Sequence, residues 1–187
     1  MSHQNAERIQ KVVLEMIRRF PADLDPAQTA MAAIGQFDVT ATALQMAMVG
    51  AGIGDNGQVM NPYLVAQTLS PELEVLSNAE PSAFSQAMTP SNSAELLAMM
   101  VAVVEQGTGS NAKIPGVVVG GKTGTAQTAA GRPTHAWFVG VAPADVPGQA
   151  QVAVAVVLQN GGGAAEISGN KLAAPIAKAV MEAVLGR

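Results

Sequence analysis

With 187 residues the chain is long enough for about one domain with a sizeable core, and 49% hydrophobic against 13% charged residues excludes a disordered polymer. A net charge of −4, with no Lys or Arg between Arg19 and Lys113, excludes a basic nucleic-acid groove over that half. Cysteine is absent, which removes disulfides, thiolate metal sites and a cysteine nucleophile; the two histidines, His3 and His135, are too few for a histidine-rich metal centre, and no cofactor is expected.

The first predicted element is an amphipathic helix over residues 5–20. Ile9, Val12, Val13, Met16, Ile17 and Phe20 recur at spacings of three and four, and Pro21 ends it. The stretch 23–26 then reads as a turn. Met1–Gln10 is polar, no apolar run follows it, and none of about 20 residues occurs anywhere, so neither a signal peptide nor a membrane span is expected in this chain. A second helix is expected over 40–50, capped by Thr40 and broken by Gly50, Gly52 and Gly54. Residues 61–68 read as a short extended segment, and 69–90, with three prolines and no sustained period, as surface connection. A third helix is predicted over 93–105, stopped by Gly107 and Gly109. The last third changes character: 117–119, 136–141 and 152–158 are β-rich runs with short connections, which implies antiparallel pairing. A final helix over 171–185 tolerates Pro175 only in its first turns. Helices, three strands and a helix in that order give an α+β fold, an antiparallel sheet with helices packed on it. The methionines, at helical spacing, are most simply core.

The stretch that carries chemistry is Gly120-Gly121-Lys122-Thr123-Gly124-Thr125-Ala126-Gln127. As a strand it offers a fixed cation, two hydroxyls and a glycine that lets another chain approach closely. Such a strand could hold an extended peptide along its edge while Lys122 binds a carboxylate, and one of its N–H groups could stabilise an oxyanion. Two rivals stand beside this. Gly116 to Thr123 satisfies the spacing G-x-x-x-x-G-K-[ST] of a phosphate loop, although no strand precedes it and no helix opens after it. The plainer rival is a glycine-rich hairpin with no ligand.

Gly107-Thr108-Gly109, then Gly121 to Gln127, then Ala136-Trp137-Phe138-Val139-Gly140-Val141-Ala142-Pro143 resemble the C-terminal half of penicillin-binding protein transpeptidase domains, closest to the class B type. Upstream, Ala33-Ile34-Gly35-Gln36, Thr40, Leu44-Gln45 and Met46-Ala47 look like the helix entry of that family, and Asn56-Gly57 with Pro62 like the turn that follows; Ala173-Ala174-Pro175 fits near the end. Residues 31–187 are thereby expected to be the C-terminal part of such a domain, incomplete in its sheet, with residues 1–30 an unmatched helical segment.

The resemblance implies an acyl-serine transferase: a serine attacks a D-Ala-D-Ala stem peptide, and the acyl group passes to a second stem peptide, with β-lactams mimicking the donor. It implies that Lys122 and Thr123 hold the donor's carboxylate and assist proton transfer, that Thr125 offers its N–H to the oxyanion, and that Gly124 lets substrate lie against the strand. It also implies the bacterial cell envelope, at the outer face of the cytoplasmic membrane, as the location.

Two further motifs of the family, Ser-x-x-Lys and Ser-x-Asn, stand far upstream of Lys-Thr-Gly. Here Ser110-Asn111-Ala112-Lys113 has the letters of the first, but Pro115-Gly116 follows where a helix is required; Ser168-Gly169-Asn170 has the letters of the second, but reads as a helix cap. His135, beside Trp137, reads as a structural rim residue, and Gln36 with Asp38 as no more than a helix entry. The expectation is a domain fragment, inactive alone, whose partners are a stem peptide or β-lactam and the missing N-terminal part of the same domain. The alternative is a substrate-binding module without chemistry. Lacking part of its sheet, the chain is expected to expose strand edges and to be partly unfolded or oligomeric.

Overall fold

The structure, a computed structural model, describes residues 24–36, 39–127, 132–163 and 167–187. The helix expected over 5–20 and the Asp38 side chain lie outside the described residues. The chain divides into two units, Met1–Thr42 and Ala43–Arg187.

In the first unit the described element is helix α1 (Pro26–Ala33). The stretch expected as a turn is its start. Asp25 caps it, its carboxylate accepting from the Gln28 backbone N–H while the Gln28 side chain accepts from the Asp25 N–H, and Pro26 sits in the first turn where its missing N–H costs nothing.

In the second unit, helix α2 spans Ala43–Gly54 and continues past the glycines expected to break it. The reason is packing. Cβ atoms on Gly50 and Gly54 would lie 2.9 Å from Val139 Cγ1 and 2.8 Å from Val141 Cγ1, so these glycines bring the helix axis down onto the sheet. Contact with the sheet offsets the cost of about 1 kcal/mol per helical glycine.

Strands β1 (Gln58–Met60), β2 (Gln67–Leu69), β3 (Val75–Asn78) and β4 (Ala83–Gln86) follow. They correct the reading of 69–90 as plain connection: β1 pairs with β4 and β2 with β3, antiparallel, in a ribbon tied between the pairs by Asn61 N–H to Ser82 O and Ala79 N–H to Ala66 O. The ribbon buries almost nothing, so its sequence carries no alternating pattern to read.

Helix α3 (Pro90–Glu105) begins one turn earlier than predicted, capped by Thr89. Ser93, taken as its start, is instead a fully buried position whose hydroxyl donates to Ile53 O at 2.6 Å and fixes α3 to the end of α2.

The main sheet has the order β5–β6–β7, with β5 (Gly120–Ala126), β6 (His135–Ala142) and β7 (Val152–Leu158) all antiparallel. The expected pairing holds, and β6 and β7 lie where predicted to within a residue. The strand expected at 117–119 does not form; the Lys-Thr-Gly segment that follows it is the strand. Registers Thr123↔Phe138↔Val156 and Lys122↔Val139↔Ala155 separate two faces. Against one face pack Phe138, Val152, Val154 and Val156 with Ala174, Ala177 and Met181 of helix α4 (Ala174–Val184). Against the other pack Val141 and Ala153 with Ile53 of α2 and Leu97 and Met100 of α3. Helix α4 starts after a π turn, Gly169–Ala173, and Pro175 lies in its first turn as expected. The methionines divide: Met100 and Met181 are buried, whereas Met31 and Met99 are exposed.

Phe138 is fully buried, and a Cβ on Gly121 would run into its ring, while one on Gly140 would sit 3.0 Å from Cε1. Phe138→Ala is expected to cost about 3–5 kcal/mol and Gly121→Ala about 1–3 kcal/mol in urea unfolding. Combined with Phe138→Leu, Gly121→Ala should cost less than it does alone, because the ring it strikes is gone.

Candidate functional site

Strand β5 is an edge of its sheet, with β6 on one side. On such a strand alternate residues turn N–H and C=O groups outward, free for an extended ligand. The sequence builds this edge from Lys122 and Thr125, both exposed, with Thr123 and Gly124 half-buried between them. Lys122 Nζ donates to Thr123 O at 2.7 Å, which holds the cation against its own strand. By contrast Lys113 pairs with Glu105 (3.2 Å) and Lys178 with Glu182 (3.8 Å). Gly124 has a packing reason as well: a Cβ there would sit 3.1 Å from Trp137 Cβ.

The phosphate-loop reading is overturned. Its last four residues lie in a strand in register with β6, and no helix opens after Thr123, which the strand continues to Ala126. A phosphate loop needs successive N–H groups converging on an anion ahead of a helix.

Two other segments converge on β5. The loop after α3 is drawn back over the helix end by Gly109 N–H donating to Val103 O (2.9 Å), and Thr108 Oγ1 lies 2.9 Å from Thr123 Oγ1. From the other end of the chain, the turn before α4 comes so close that a Cβ on Gly169 would collide with Trp137 O and sit 3.1 Å from Thr123 Cβ and 3.2 Å from Gly124 N. The two segments are also bonded to each other. Asn111 N–H donates to Asn170 Oδ1 (2.9 Å), Asn111 Nδ2 to Asn170 O (3.1 Å), and Asn170 Nδ2 to Ser110 Oγ (3.3 Å).

The two motif look-alikes thus meet. Ser110 opens a short 3₁₀ helix (Ser110–Ala112), not an α-helix, and Lys113 is engaged by the side chain and carbonyl of Glu105. Ser168 is a cap, its Oγ accepting from Lys171 N–H. His135 heads β6, and its Nδ1 accepts from Asn160 N–H at 3.0 Å. Sequence reasoning missed Asn111 and Asn170 as a clamp, since each looks like an ordinary loop polar residue until the two segments, 59 positions apart, are brought together.

A model of the "Penicillin binding protein transpeptidase domain" family matches residues 20–182. The chain belongs to that family. The Peptidoglycan D,D-transpeptidase PbpA of Mycolicibacterium smegmatis is 41% identical over 165 residues, covering 87% of this chain and 33% of that protein. Penicillin-binding protein A from M. tuberculosis, solved as a ceftriaxone acyl-enzyme complex, superposes with a TM-score of 0.79 at 39% identity, over 86% of this chain and 36% of that one. PBP2 of Pseudomonas aeruginosa, in complex with WCK 5153, is more distant at 31% identity and a TM-score of 0.64, over 86% and 33%. This transpeptidase-family chain spans about a third of the length of the PbpA proteins it matches. The α+β class, antiparallel sheet and helices on both faces agree with these structures.

Gly169→Ala puts its methyl against backbone, which cannot give way as a side chain can. We expect a loss of about 1–3 kcal/mol, with the largest amide shifts in a ¹⁵N spectrum at Thr123, Gly124 and Trp137; unshifted amides on β5 would contradict the close approach.

Proposed function

We propose that this chain is the C-terminal part of a peptidoglycan D,D-transpeptidase domain, and that it supplies the substrate strand while the serine nucleophile comes from the N-terminal part of the same domain. The observation that carries the reading is the placement of Lys122, Thr123, Gly124 and Thr125 on a free strand edge. The family membership gives that edge its chemistry.

In this reading the terminal carboxylate of a D-Ala-D-Ala donor, or the carboxylate of a β-lactam, binds Lys122 Nζ and Thr123 Oγ1. Charge-assisted bonds of that kind are the strong ones. The Lys122 ammonium exchanges its bond to Thr123 O for the incoming anion, a local move on an exposed side chain. Thr125 gives its N–H to the carbonyl oxygen as that oxygen gains charge in the tetrahedral intermediate. Gly124 keeps the middle of the strand bare, so that the peptide lies against backbone.

The opposite edge supports the same reading. Strand β7 has the sequence Val-Ala-Val-Ala-Val-Val-Leu, without a charge, and all seven residues are half-buried. Unprotected apolar edges invite another strand, and here the N-terminal part of the domain adds. The cell envelope follows as the place of action, where the stem peptides are. Among the described residues no helix is long and apolar enough to cross a membrane.

Two measurements test the proposal. Intact-mass analysis of the chain after incubation with penicillin G should show no adduct, whereas a covalent adduct would put a competent serine in this chain, Ser110 being the first to substitute. In a hybrid carrying the chain in place of the matching third of M. smegmatis PbpA, fluorescent penicillin should label the protein. Lys122→Ala should slow labelling roughly 10- to 100-fold, as expected when a charged partner of a carboxylate is removed. A folded hybrid that takes label equally well with Lys122→Ala would refute the assignment of β5. One that takes none would leave a binding module without chemistry as the better account.

A further inference from the structure

We propose that Thr108 is a positioning residue for the substrate strand: its hydroxyl donates to Thr123 Oγ1 and so turns the Thr123 proton toward the carboxylate of the donor. The inference rests on the transpeptidase reading above and adds to it a residue outside the Lys-Thr-Gly segment.

The argument is one of proton counting. A hydroxyl has one proton and two lone pairs. Thr108 Oγ1 and Thr123 Oγ1 are 2.9 Å apart, so a single proton lies between them and either residue can supply it. If Thr123 supplies it, Thr123 is left with lone pairs alone, and a carboxylate, which can only accept, meets an acceptor. If Thr108 supplies it, the Thr123 proton is free to point at the carboxylate. Arrival of the anion therefore selects the second arrangement, and the chain Thr108–Thr123–carboxylate polarises in one direction, each bond strengthening the next. A threonine alone on an edge strand would have to find that orientation among its rotors.

The scaffold around Thr108 is consistent with such a duty. Gly107 N–H and Gly109 N–H both donate to Val103 O, at 3.2 and 2.9 Å, which folds the loop back onto the end of α3 on either side of Thr108. Immediately downstream, Asn111 is clamped to Asn170 by two hydrogen bonds. The loop is thus held at both ends, and the turn carrying Asn170 is itself seated on Thr123 and Gly124 through Gly169. Thr108 is exposed, and the bond to Thr123 is the one described for its hydroxyl.

The test uses the hybrid described above, with Thr108→Val, which keeps the shape and removes the hydroxyl, and Thr108→Ser, which keeps the hydroxyl. Each is acylated with penicillin G and with its methyl ester, which lacks the anion that Thr123 is to meet. Thr108→Val should lower the second-order acylation constant for penicillin G about fivefold, the worth of one ordinary hydrogen bond, and leave that for the ester little changed, so that preference for the acid falls by the same factor. Thr108→Ser should restore the preference. Equal losses for acid and ester would show a packing role and overturn the proposal, as would a Thr108→Val enzyme with the parent's preference. A parent hybrid that is not acylated by either compound overturns the transpeptidase reading itself, and this proposal with it.

Discussion

The main sheet is built around the fit of the Phe138 ring into the space left by glycines on two of its strands. Gly121 lies on the neighbouring strand and Gly140 two residues along its own; a Cβ at 121 would run into the ring, and one at 140 would crowd it at 3.0 Å. The ring is fully buried and shares its cluster with Val104, Ala173, Ala177 and Met181. This one contact joins β5, β6, α3 and α4. It also fixes the register of β5, because a slip of one residue would put Lys122 where Gly121 stands and drive a charged chain into the ring. With Gly121 turned to the ring, Lys122 lies on the opposite face of the strand, where its side chain is exposed.

Above that base the site is assembled by small residues and amides. Glycines at 107 and 109 bracket Thr108, and Gly169 lets the turn before α4 touch Thr123 and Gly124. Asn170 then bonds three ways to Ser110 and Asn111. None of these groups carries a charge. Net energies of about 1 kcal/mol per hydrogen bond make each bond replaceable on its own, while the set fixes three chain segments at one place. On the reading proposed above, that division leaves Lys122, bonded only locally to Thr123 O, to meet an anion.

The sequence was legible where burial imposes a period or an ordered set of motifs. Strands β6 and β7 were placed to within a residue, since their runs of Val, Ala and Phe stand between clear turn residues. The family resemblance rests on motif order from Ala33 to Pro175, and the comparisons bear it out. Where glycine was concerned, reading failed in a consistent way. Gly50, Gly52 and Gly54 read as helix breakers, yet all three are packing positions within α2. A local rule treats glycine as lost backbone order; only the partner across the gap, Val139 or Phe138, shows what the missing Cβ makes room for. The ribbon from Gln58 to Gln86 was missed for the opposite reason: nothing in it is buried deeply enough to leave a pattern.

The two edges of the main sheet differ in composition. β5 presents Lys122, Thr123 and Thr125 and interrupts itself with glycine; β7 presents seven aliphatic residues and no charge. Edge strands left to face water are commonly blunted by lysine, proline or a bulge. β5 has its lysine and β7 has none of these devices. A polar edge that repels casual pairing yet carries a cation suits a transient, anionic, extended ligand. An apolar edge without gatekeepers suits permanent partnership with strands of its own domain. A single sheet can serve both because β6, buried from Phe138 to Ala142, separates them by a full strand and shares the registers of each.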